Sequence, residues 1–258
     1  MGVINVTPDS FSDGGQFLLT KNAVSHAFKL IQQGAEIIDV GGESTRPGAD
    51  EVSVDEEIKR VVPVIQGIRN NDKNITISID TSKSQVMQAA IDAGADFIND
   101  VNALQNKGCV EVVAKSGLPV CLMHKKGQPK TMQKSPQYGD VLTEVTAFFK
   151  SRIKACVNAG IKKKNIILDP GIGFGKSLEH NLTLLKSIKQ LKSLGCPILI
   201  GVSRKSMIGE ILNAEVDDRL YGSLAIAQFV FMQGVEYLRV HDVKATSDVL
   251  KITQTLIS

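Results

Sequence analysis

The sequence lacks the features of a membrane or secreted protein. No apolar stretch reaches the length of about 18 residues that a membrane span needs, and Met1 leads directly into a strand pattern rather than a signal peptide. The four cysteines show no C-x-x-C spacing, lie in apolar surroundings, and are Cys109, Cys121, Cys156 and Cys196. This pattern indicates reduced thiols in a cytosolic protein rather than a disulfide framework or a zinc site.

An excess of charge is also missing. The formal net charge is only +3, and the one dense basic run, residues 162–164, lies between a helical pattern and a strand pattern. A solvated turn explains that run, so nucleic acid is not an expected partner. No linker or low-complexity segment divides the 258 residues, of which 43% are hydrophobic. We therefore expect one large domain over residues 1–258.

A repeated pattern indicates the architecture. The segments 27–40, 89–101 and 227–240 each have a helical apolar period, then a Gly, an acid, a short apolar run and a polar residue. Each predicts a helix, a Gly stop and a buried strand. The same pattern predicts eight strands, at 2–6, 37–40, 75–80, 97–100, 120–123, 166–169, 198–202 and 237–240. It predicts eight helices, at 23–33, 55–69, 83–93, 109–116, 140–159, 179–194, 219–233 and 246–257.

Eight alternating βα units predict a parallel sheet. In about 250 residues they favour an α/β fold consisting of a closed (β/α)₈ TIM barrel over an open doubly wound sheet. The active site of such a barrel lies at the carboxyl ends of the strands. The polar residues predicted there are Asn5, Asp39, Asp80, Asn99, Asp100, His124, Asp169, Ser203, Arg204, Lys205, Arg239 and His241.

Each of these residues has a structural alternative, because a lone Asp at a strand end often caps the next helix, as Asp80 would before "TSKS". A whole rim of such residues is harder to explain by capping. The acceptors suit a planar, donor-rich heterocycle, whereas the cations Arg46, Lys205, Arg239 and His241 suit an anion.

One motif imitates a phosphate-binding loop. "PGIGFGKS" (170–177) nearly matches G-x-x-x-x-G-K-[ST], but Pro170 occupies the place of the first Gly. Lys176 likewise replaces the last Gly of a dinucleotide fingerprint. We expect instead that the glycines turn the chain beyond Asp169 and bring Phe174 close to a flat ligand. The alternative is that Phe174 belongs to the core.

Seven segments together resemble the bacterial dihydropteroate synthase family over essentially the whole chain. They are "MGVINVTPDSFSDGG", "DVGGESTRPGA", "SIDTSK", "ADFINDV", "LDPGIGFGK", "GVSRKSMIG" and "RVHDV". The resemblance implies a (β/α)₈ barrel that joins 6-hydroxymethyl-7,8-dihydropterin pyrophosphate to p-aminobenzoate in folate synthesis, as a cytoplasmic homodimer inhibited by sulfonamides.

The resemblance also implies residue roles. Asp80, Asn99 and Asp169 would bind the pterin, with Phe174 and Met123 flanking its ring and Lys205 on its carbonyl side. Asn5, Arg46, Arg239 and His241 would hold the pyrophosphate, with Mg²⁺ bound by Asn5 and phosphate oxygens. Ser206 would bind the p-aminobenzoate carboxylate, and Thr45, Pro47 and Phe11 would surround the aromatic amine.

The expected chemistry follows from charge. An aromatic amine is a poor nucleophile, so pyrophosphate is expected to leave first, without a side-chain general base, giving a methylene cation delocalised into the pterin. Arg239, His241 and the metal would stabilise the leaving group, and the Asp80 carboxylate would stabilise the cation. The expected catalytic residues are Asp80, Lys205, Arg239 and His241.

The first loop, "NVTPDSFSDGG" (5–15), is rich in turn-forming residues and is expected to act as a lid. In this interpretation Phe11 closes over the amine's ring; the alternative is that Phe11 packs into a cluster on the barrel rim.

The sequence departs from the family after "LMH", where Lys125 and Lys126 replace the expected Met and Gln, so contacts from the fifth loop are open. Two other functions remain open as well. A methyltetrahydrofolate-dependent methyltransferase domain would need no pyrophosphate clamp, and a noncatalytic pterin-binding paralogue would have lost part of it. The intact "STRPG" and "RVHDV" segments favour the synthase.

Overall fold

The computed structural model describes residues 1–6, 16–44, 51–127 and 136–257. Their strands are short and parallel. The bounds are β1 Gly2–Asn5, β2 Ile37–Gly41, β3 Thr76–Asp80, β4 Phe97–Asp100, β5 Val120–Met123, β6 Ile166–Asp169, β7 Leu199–Ile200 and β8 Tyr237–Leu238.

The strands form a ring. β1 to β6 pair in sequential order, and β7 pairs with β8. Two parallel bridges join these sheets, because Leu168 pairs with Ile198 and Gly2 pairs with Val240. The bridges connect the two sheets on both sides and complete the ring of eight, so the predicted (β/α)₈ barrel is confirmed.

Helices follow the strands around the barrel. Their bounds are α1 Gln16–Gln32, α2 Val54–Asn71, α3 Ser84–Asp92, α4 Cys109–Ser116, α5 Val141–Asn158, α6 Leu178–Lys186, α7 Ile188–Lys192, α8 Ser206–Leu212, α9 Leu220–Met232 and α10 Val243–Ile257. None of the helices in the described part of the chain combines the length and apolar composition needed to span a bilayer.

Several predicted bounds were wrong. The predicted helix 179–194 is interrupted at Ser187, whose N–H donates to Leu184 O (3.1 Å) and closes the last turn of α6. α1 begins at Gln16 rather than 23, and α10 begins at Val243 rather than 246. β7 and β8 are shorter than predicted, since only single bridges extend the pairing beyond them.

Alternation along the strands separates two environments. In β4 and β6, Ile98, Ile166 and Leu168 belong to the large apolar cluster shared with the helices. Phe97 and Ile167 belong to a separate small cluster with Cys121 and Leu199. Because side chains alternate along a strand, this second cluster marks the barrel interior. On the same interior face, polar residues occupy positions nearer to the carboxyl ends of the strands.

Local signals fix the helix starts near the rim. The Ser53 hydroxyl accepts from Glu56 N before α2 (3.3 Å), and the Asp140 carboxylate accepts from Thr143 N before α5 (2.6 Å). Ser177 and His180 form a reciprocal capping box at α6. Each satisfies an otherwise unpaired N–H of a first turn.

Candidate functional site

The interior polar residues converge at the carboxyl ends of the strands. Asp80 ends β3, and its register partners are Gly41 of β2 and Asn99 of β4. Met123 ends β5 and pairs with Asp169 at the end of β6. Asp80, Asn99, Met123 and Asp169 are all buried. The structure thus brings together four of the six residues expected around a pterin.

Asp39 of β2 is the hub of this polar layer. Its fully buried carboxylate accepts from Ser78 Oγ (2.5 Å), Asn99 Nδ2 (3.2 Å) and Arg239 Nε (2.6 Å). Sequence reasoning placed Asp39 at a strand end but gave it no role. The available signal was an acid at an interior position of the apolar strand "IIDV".

Arg239, which directly follows β8, joins two carboxylates. Its Nε donates to Asp39, and its Nη2 donates to Asp80 Oδ2 at 2.8 Å. Burial lowers the pKa of Arg239, but Asp39 and Asp80 outweigh it and hold this pKa above its usual range. Burial raises the pKa of Asp80 to about 7, and Arg239 opposes the rise. The ion pair therefore favours the charged form of a desolvated carboxylate.

Asn99 and the adjacent Asp100 have different roles. The Asn99 amide nitrogen donates to Asp39, so its oxygen is the group that can accept from a ligand. Asp100 lies on the opposite face of β4 and accepts from Asn102 N (2.7 Å) and Leu104 N (2.8 Å). Burial raises the pKa of Asp100 to about 6. Asp100 shapes the turn after β4.

Lys205 lies beside Asp169 and Phe174. Its Nζ donates to Ile172 O and lies 4.6 Å from the centre of the Phe174 ring, a cation–π contact. Burial lowers the pKa of Lys205 to about 8, and Asp169 opposes the shift. Burial likewise raises the pKa of Asp169, whose Oδ1 accepts from Gly171 N at 2.7 Å. Phe174 is half-buried, so it is available as a wall for a flat ligand.

His241 and Ser206 lie on the exposed part of the rim. His241 Nδ1 is 3.1 Å from Ser203 Oγ, and the same hydroxyl accepts from His241 N at 3.2 Å, which orients the ring. Ser206 is exposed at the start of α8. Arg204, between these groups, instead pairs with Asp242 at 2.6 Å.

Asn5 ends β1 and faces Asp80 across Gly41. A Cβ on Gly41 would lie 3.7 Å from Asn5 Oδ1 and 3.8 Å from Asp80 Oδ2. Within the described ranges, no three His, Cys, Asp or Glu side chains are grouped as a metal site. The Asn5 side-chain oxygen suits a cation such as Mg²⁺, which usually takes most of its ligands from water and phosphate.

Four expected site residues, Phe11, Thr45, Arg46 and Pro47, lie outside the described residues. The chain just before the last three is anchored by an ionic group that sequence reasoning missed. Lys83 Nζ donates to Glu43 Oε2 and Glu57 Oε2, both at 2.6 Å, and Glu57 is fully buried. Glu43 in turn accepts from Val52 N.

The two unusual lysines of the fifth loop differ in environment. Lys126 is exposed, pairs with Glu144 at 2.9 Å and lies over the Tyr138 ring, beside α5. Lys125 is half-buried; burial lowers its pKa, while Asp100 and Glu43 oppose the change. Lys125 thus interacts electrostatically with Asp100 at the end of β4.

Comparison with known proteins identifies the family to which the chain belongs. The profile of the family described as "Pterin binding enzyme" matches residues 1–241. The dihydropteroate synthase of Escherichia coli K12 is 50% identical over 258 residues, which cover 100% of this chain and 91% of that relative.

Two solved structures are similar over the whole chain. The Yersinia pestis dihydropteroate synthase, in a sulfonamide drug complex, has a TM-score of 0.94 and 49% identity, covering 100% of this chain and 93% of that one. The Xanthomonas albilineans dihydropteroate synthase, in complex with 7,8-dihydropteroate, has a TM-score of 0.91 and 43% identity, with coverages of 100% and 93%.

The chain therefore belongs to the pterin binding enzyme family. Its function within that family is dihydropteroate synthesis, a transferase reaction of folate biosynthesis.

Proposed function

We propose that the chain joins 6-hydroxymethyl-7,8-dihydropterin pyrophosphate to p-aminobenzoate, giving 7,8-dihydropteroate and pyrophosphate, and does so within one domain. The observation that carries the proposal is the buried layer of acceptors at the strand ends, with two cations beside it. The X. albilineans relative binds 7,8-dihydropteroate, the product of this reaction.

The pterin would lie at the base of the site. Asp80, Asn99 and Asp169 would accept from its amino group and ring N–H groups, because all three are buried and offer oxygen atoms. Phe174 and Met123 would flank the ring, and Lys205 would donate to the pterin carbonyl. The lowered pKa of Lys205 reflects a desolvated ammonium, which donates strongly to such an oxygen.

The pyrophosphate would be held by Asn5, Arg46, Arg239 and His241. Arg239 is part of the carboxylate network, so it can couple the pyrophosphate site to Asp80 electrostatically. His241 is exposed at the rim and oriented by Ser203. Mg²⁺, held by Asn5 and phosphate oxygens, would supply positive charge near the leaving group when bound.

The p-aminobenzoate would enter from the rim. Ser206 is exposed there and would donate its N–H and hydroxyl to the substrate carboxylate. Thr45, Pro47 and Phe11 would surround the amine ring; their roles rest on the sequence motifs. Sulfonamides would compete for this position, as the complex of the Y. pestis relative suggests.

Charge determines the order of events. An aromatic amine attacks poorly, so loss of pyrophosphate comes first and leaves a cation delocalised over the pterin. The Asp80 carboxylate, whose charged form Arg239 favours, stabilises this cation in a site with little water. Arg239 and His241 stabilise the departing anion. Asp80, Lys205, Arg239 and His241 are the proposed catalytic residues.

We further propose a cytoplasmic homodimer. α9, "LYGSLAIAQFVFM", contains no charged residue, yet Tyr221, Phe229 and Met232 on it are exposed. A helix that is apolar on all sides is normally buried. Leu256 of the neighbouring α10 extends the apolar surface. A second copy of the chain would cover it.

Pyrophosphate release tests the function. With purified protein, release should require both the pterin pyrophosphate and p-aminobenzoate, and dihydropteroate should accumulate in equal amount. Pterin binding without turnover would instead identify a noncatalytic pterin-binding protein. Methyl transfer from methyltetrahydrofolate would identify the methyltransferase.

A further inference from the structure

Lys176, the lysine of the phosphate-loop-like segment, has an unusual environment. Its side chain is only 3% exposed. Nζ lies 3.0 Å from Gly171 O, 3.1 Å from Phe174 O, 3.3 Å from His124 O and 3.0 Å from His124 Nδ1. The four groups around this amine are thus three backbone carbonyls and an imidazole.

These contacts favour the ammonium form and oppose burial, which lowers the pKa of Lys176 to about 7. Three protons can serve three of the four acceptors, whereas a neutral amine has only two protons to donate. Burial lowers the pKa of His124 to about 3, so its ring is neutral and Nδ1 can accept. An ammonium surrounded by inward-facing carbonyl groups replaces its lost hydration with fixed dipoles.

The ammonium joins two segments that are packed backbone to backbone. A Cβ on Gly171 would lie 1.9 Å from His124 O, and a Cβ on Gly175 would lie 2.0 Å from Lys126 O. Residues 171–175 therefore lie directly against residues 124–126 after β5. Lys176 bonds to carbonyls on both sides of this contact.

The same segment holds two residues of the substrate site. Lys205 Nζ donates to Ile172 O and lies over the Phe174 ring. A Cβ on Gly173 would lie 3.2 Å from Lys205 Cδ, so the segment also confines the stem of that side chain. The positions of Phe174 and Lys205 consequently depend on the backbone that Lys176 binds.

We propose that Lys176 is a positioning residue, whose ammonium locks residues 171–174 onto the end of β5 and so fixes Phe174 and Lys205 against the substrate. It does not touch the substrate in this role. The inference rests on the substrate-binding roles proposed above for Phe174 and Lys205.

The first test is Lys176→Met, which keeps the apolar stem and removes all donors. The KM for the pterin pyrophosphate should rise about tenfold, with a smaller change in kcat. The reason is that the variant weakens binding of the pterin more than it slows the chemical step. Lys126→Met is the matched control: it removes a lysine of the facing segment that is 47% exposed and bound to Glu144. Its KM should equal that of the wild type.

Lys176→Gln is the conservative variant, because its amide retains two donors. Its KM should lie between those of wild type and Lys176→Met, and it replaces Lys176→Met in every measurement if that variant does not fold. A lowered melting temperature with an unchanged KM in the variant measured would overturn the inference, since the role would then be structural only.

A double-mutant cycle with Lys205→Met tests whether Lys176 acts through Lys205. If Lys176 acts through Lys205, the double variant's KM rises by less than the product of the two single effects. Independent effects would contradict the inference. Lys205→Met alone also separates the two claims: an unchanged pterin KM there refutes the role proposed for Lys205. If Lys205→Met raises the pterin KM and the Lys176 variant leaves it unchanged, only the role of Lys176 is refuted.

Discussion

At the residue scale, the candidate site contains buried ionisable side chains whose pKa values are shifted. Asp80 and Asp169 are buried carboxylates whose pKa is raised by burial, and each has a cation nearby, Arg239 and Lys205 respectively. Such groups are costly for folding and are retained where a ligand needs them. The alternative of simple helix caps fits neither residue, because the N-caps of the helices that follow them are Lys83 and Ser177.

The first prediction concerns Asp80→Asn and Asp169→Asn. Each change places an amide where an acceptor should meet a pterin donor, so each should weaken pterin binding by about 1–3 kcal/mol. Calorimetric titration with a pterin measures this. Asp92→Asn, at an exposed site on α3 where Asp92 accepts from Gln88, is the control and should bind normally. Unchanged affinity in both site variants would refute their assignment.

The second prediction concerns His124 and pH. Its pKa is about 3 in the folded protein against 6.5 ordinarily, because burial and then Lys176 disfavour the imidazolium. Between these values the unfolded chain binds a proton that the folded protein does not, so stability must rise with pH over this window. From pH 5 to pH 7 the contribution is about 2 kcal/mol.

His124→Asn isolates this contribution. The Asn oxygen can accept from Lys176 near the position of Nδ1 but cannot titrate. Denaturant unfolding at pH 5 and pH 7 should therefore show a smaller pH dependence for His124→Asn than for wild type. Equal dependence in the two proteins would mean that His124 does not resist protonation.

At the scale of elements, close backbone packing limits the substitutions that the segment between β6 and α6 tolerates. Gly171 and Gly117 both have left-handed φ angles, +67° and +68°. A Cβ at Gly117 would meet nothing within 4 Å, whereas at Gly171 it would meet a backbone oxygen. A substitution at Gly117 thus introduces backbone strain alone, whereas one at Gly171 introduces the same strain and a steric clash with the backbone.

The third prediction compares these two glycines. Gly117→Ala should cost about 1 kcal/mol, the strain of a left-handed alanine. Gly171→Ala should cost clearly more, because the backbone of residues 124 and 171 must separate. Urea unfolding measures both, and kinetics should show a raised pterin KM for Gly171→Ala alone. Similar losses of stability in the two variants would contradict the close packing.

The elements near the rim show how far sequence reasoning reaches. The strand periodicity and the Gly stops predicted all eight strands, because buried parallel strands are apolar whatever their neighbours are. The break at Ser187 escaped prediction, since the apolar period continues through it. The short extents of β7 and β8 depend on pairing with neighbours, which no local pattern encodes.

The convergence of the candidate residues at one rim was predictable, whereas the hydrogen bonds and ion pairs between them were not. Asp80, Asn99, Met123 and Asp169 converge because strand ends of a barrel share one rim. The ion pairs of Arg239, however, join residues 200 and 159 positions apart, so their partners could be seen only in three dimensions. Lys176 was discounted with its motif, since the carbonyls it binds carry no side-chain signature.

At the scale of the whole molecule, one side of the barrel surface is unusually apolar. α8, α9 and α10 carry exposed large hydrophobic residues at Ile211, Tyr221, Phe229, Met232 and Leu256. α9 contacts both of the other helices, so these side chains belong to adjoining elements. Exposed large apolar side chains on adjoining helices support the homodimer proposed above.

The last prediction is that Phe229→Glu abolishes the proposed homodimer. Phe229 is 48% exposed on α9, so the barrel itself should tolerate a polar residue there, whereas a dimer would have to bury the new carboxylate unpaired. Sedimentation velocity should give the wild type twice the chain mass of 27.8 kDa and the variant one such mass. Val157→Glu on α5, 43% exposed in the monomer, is the matched control and should remain dimeric. A monomeric wild type, or a Phe229→Glu protein that stays dimeric, would show that α9 does not form the interface, and its apolar outer side would then need another explanation.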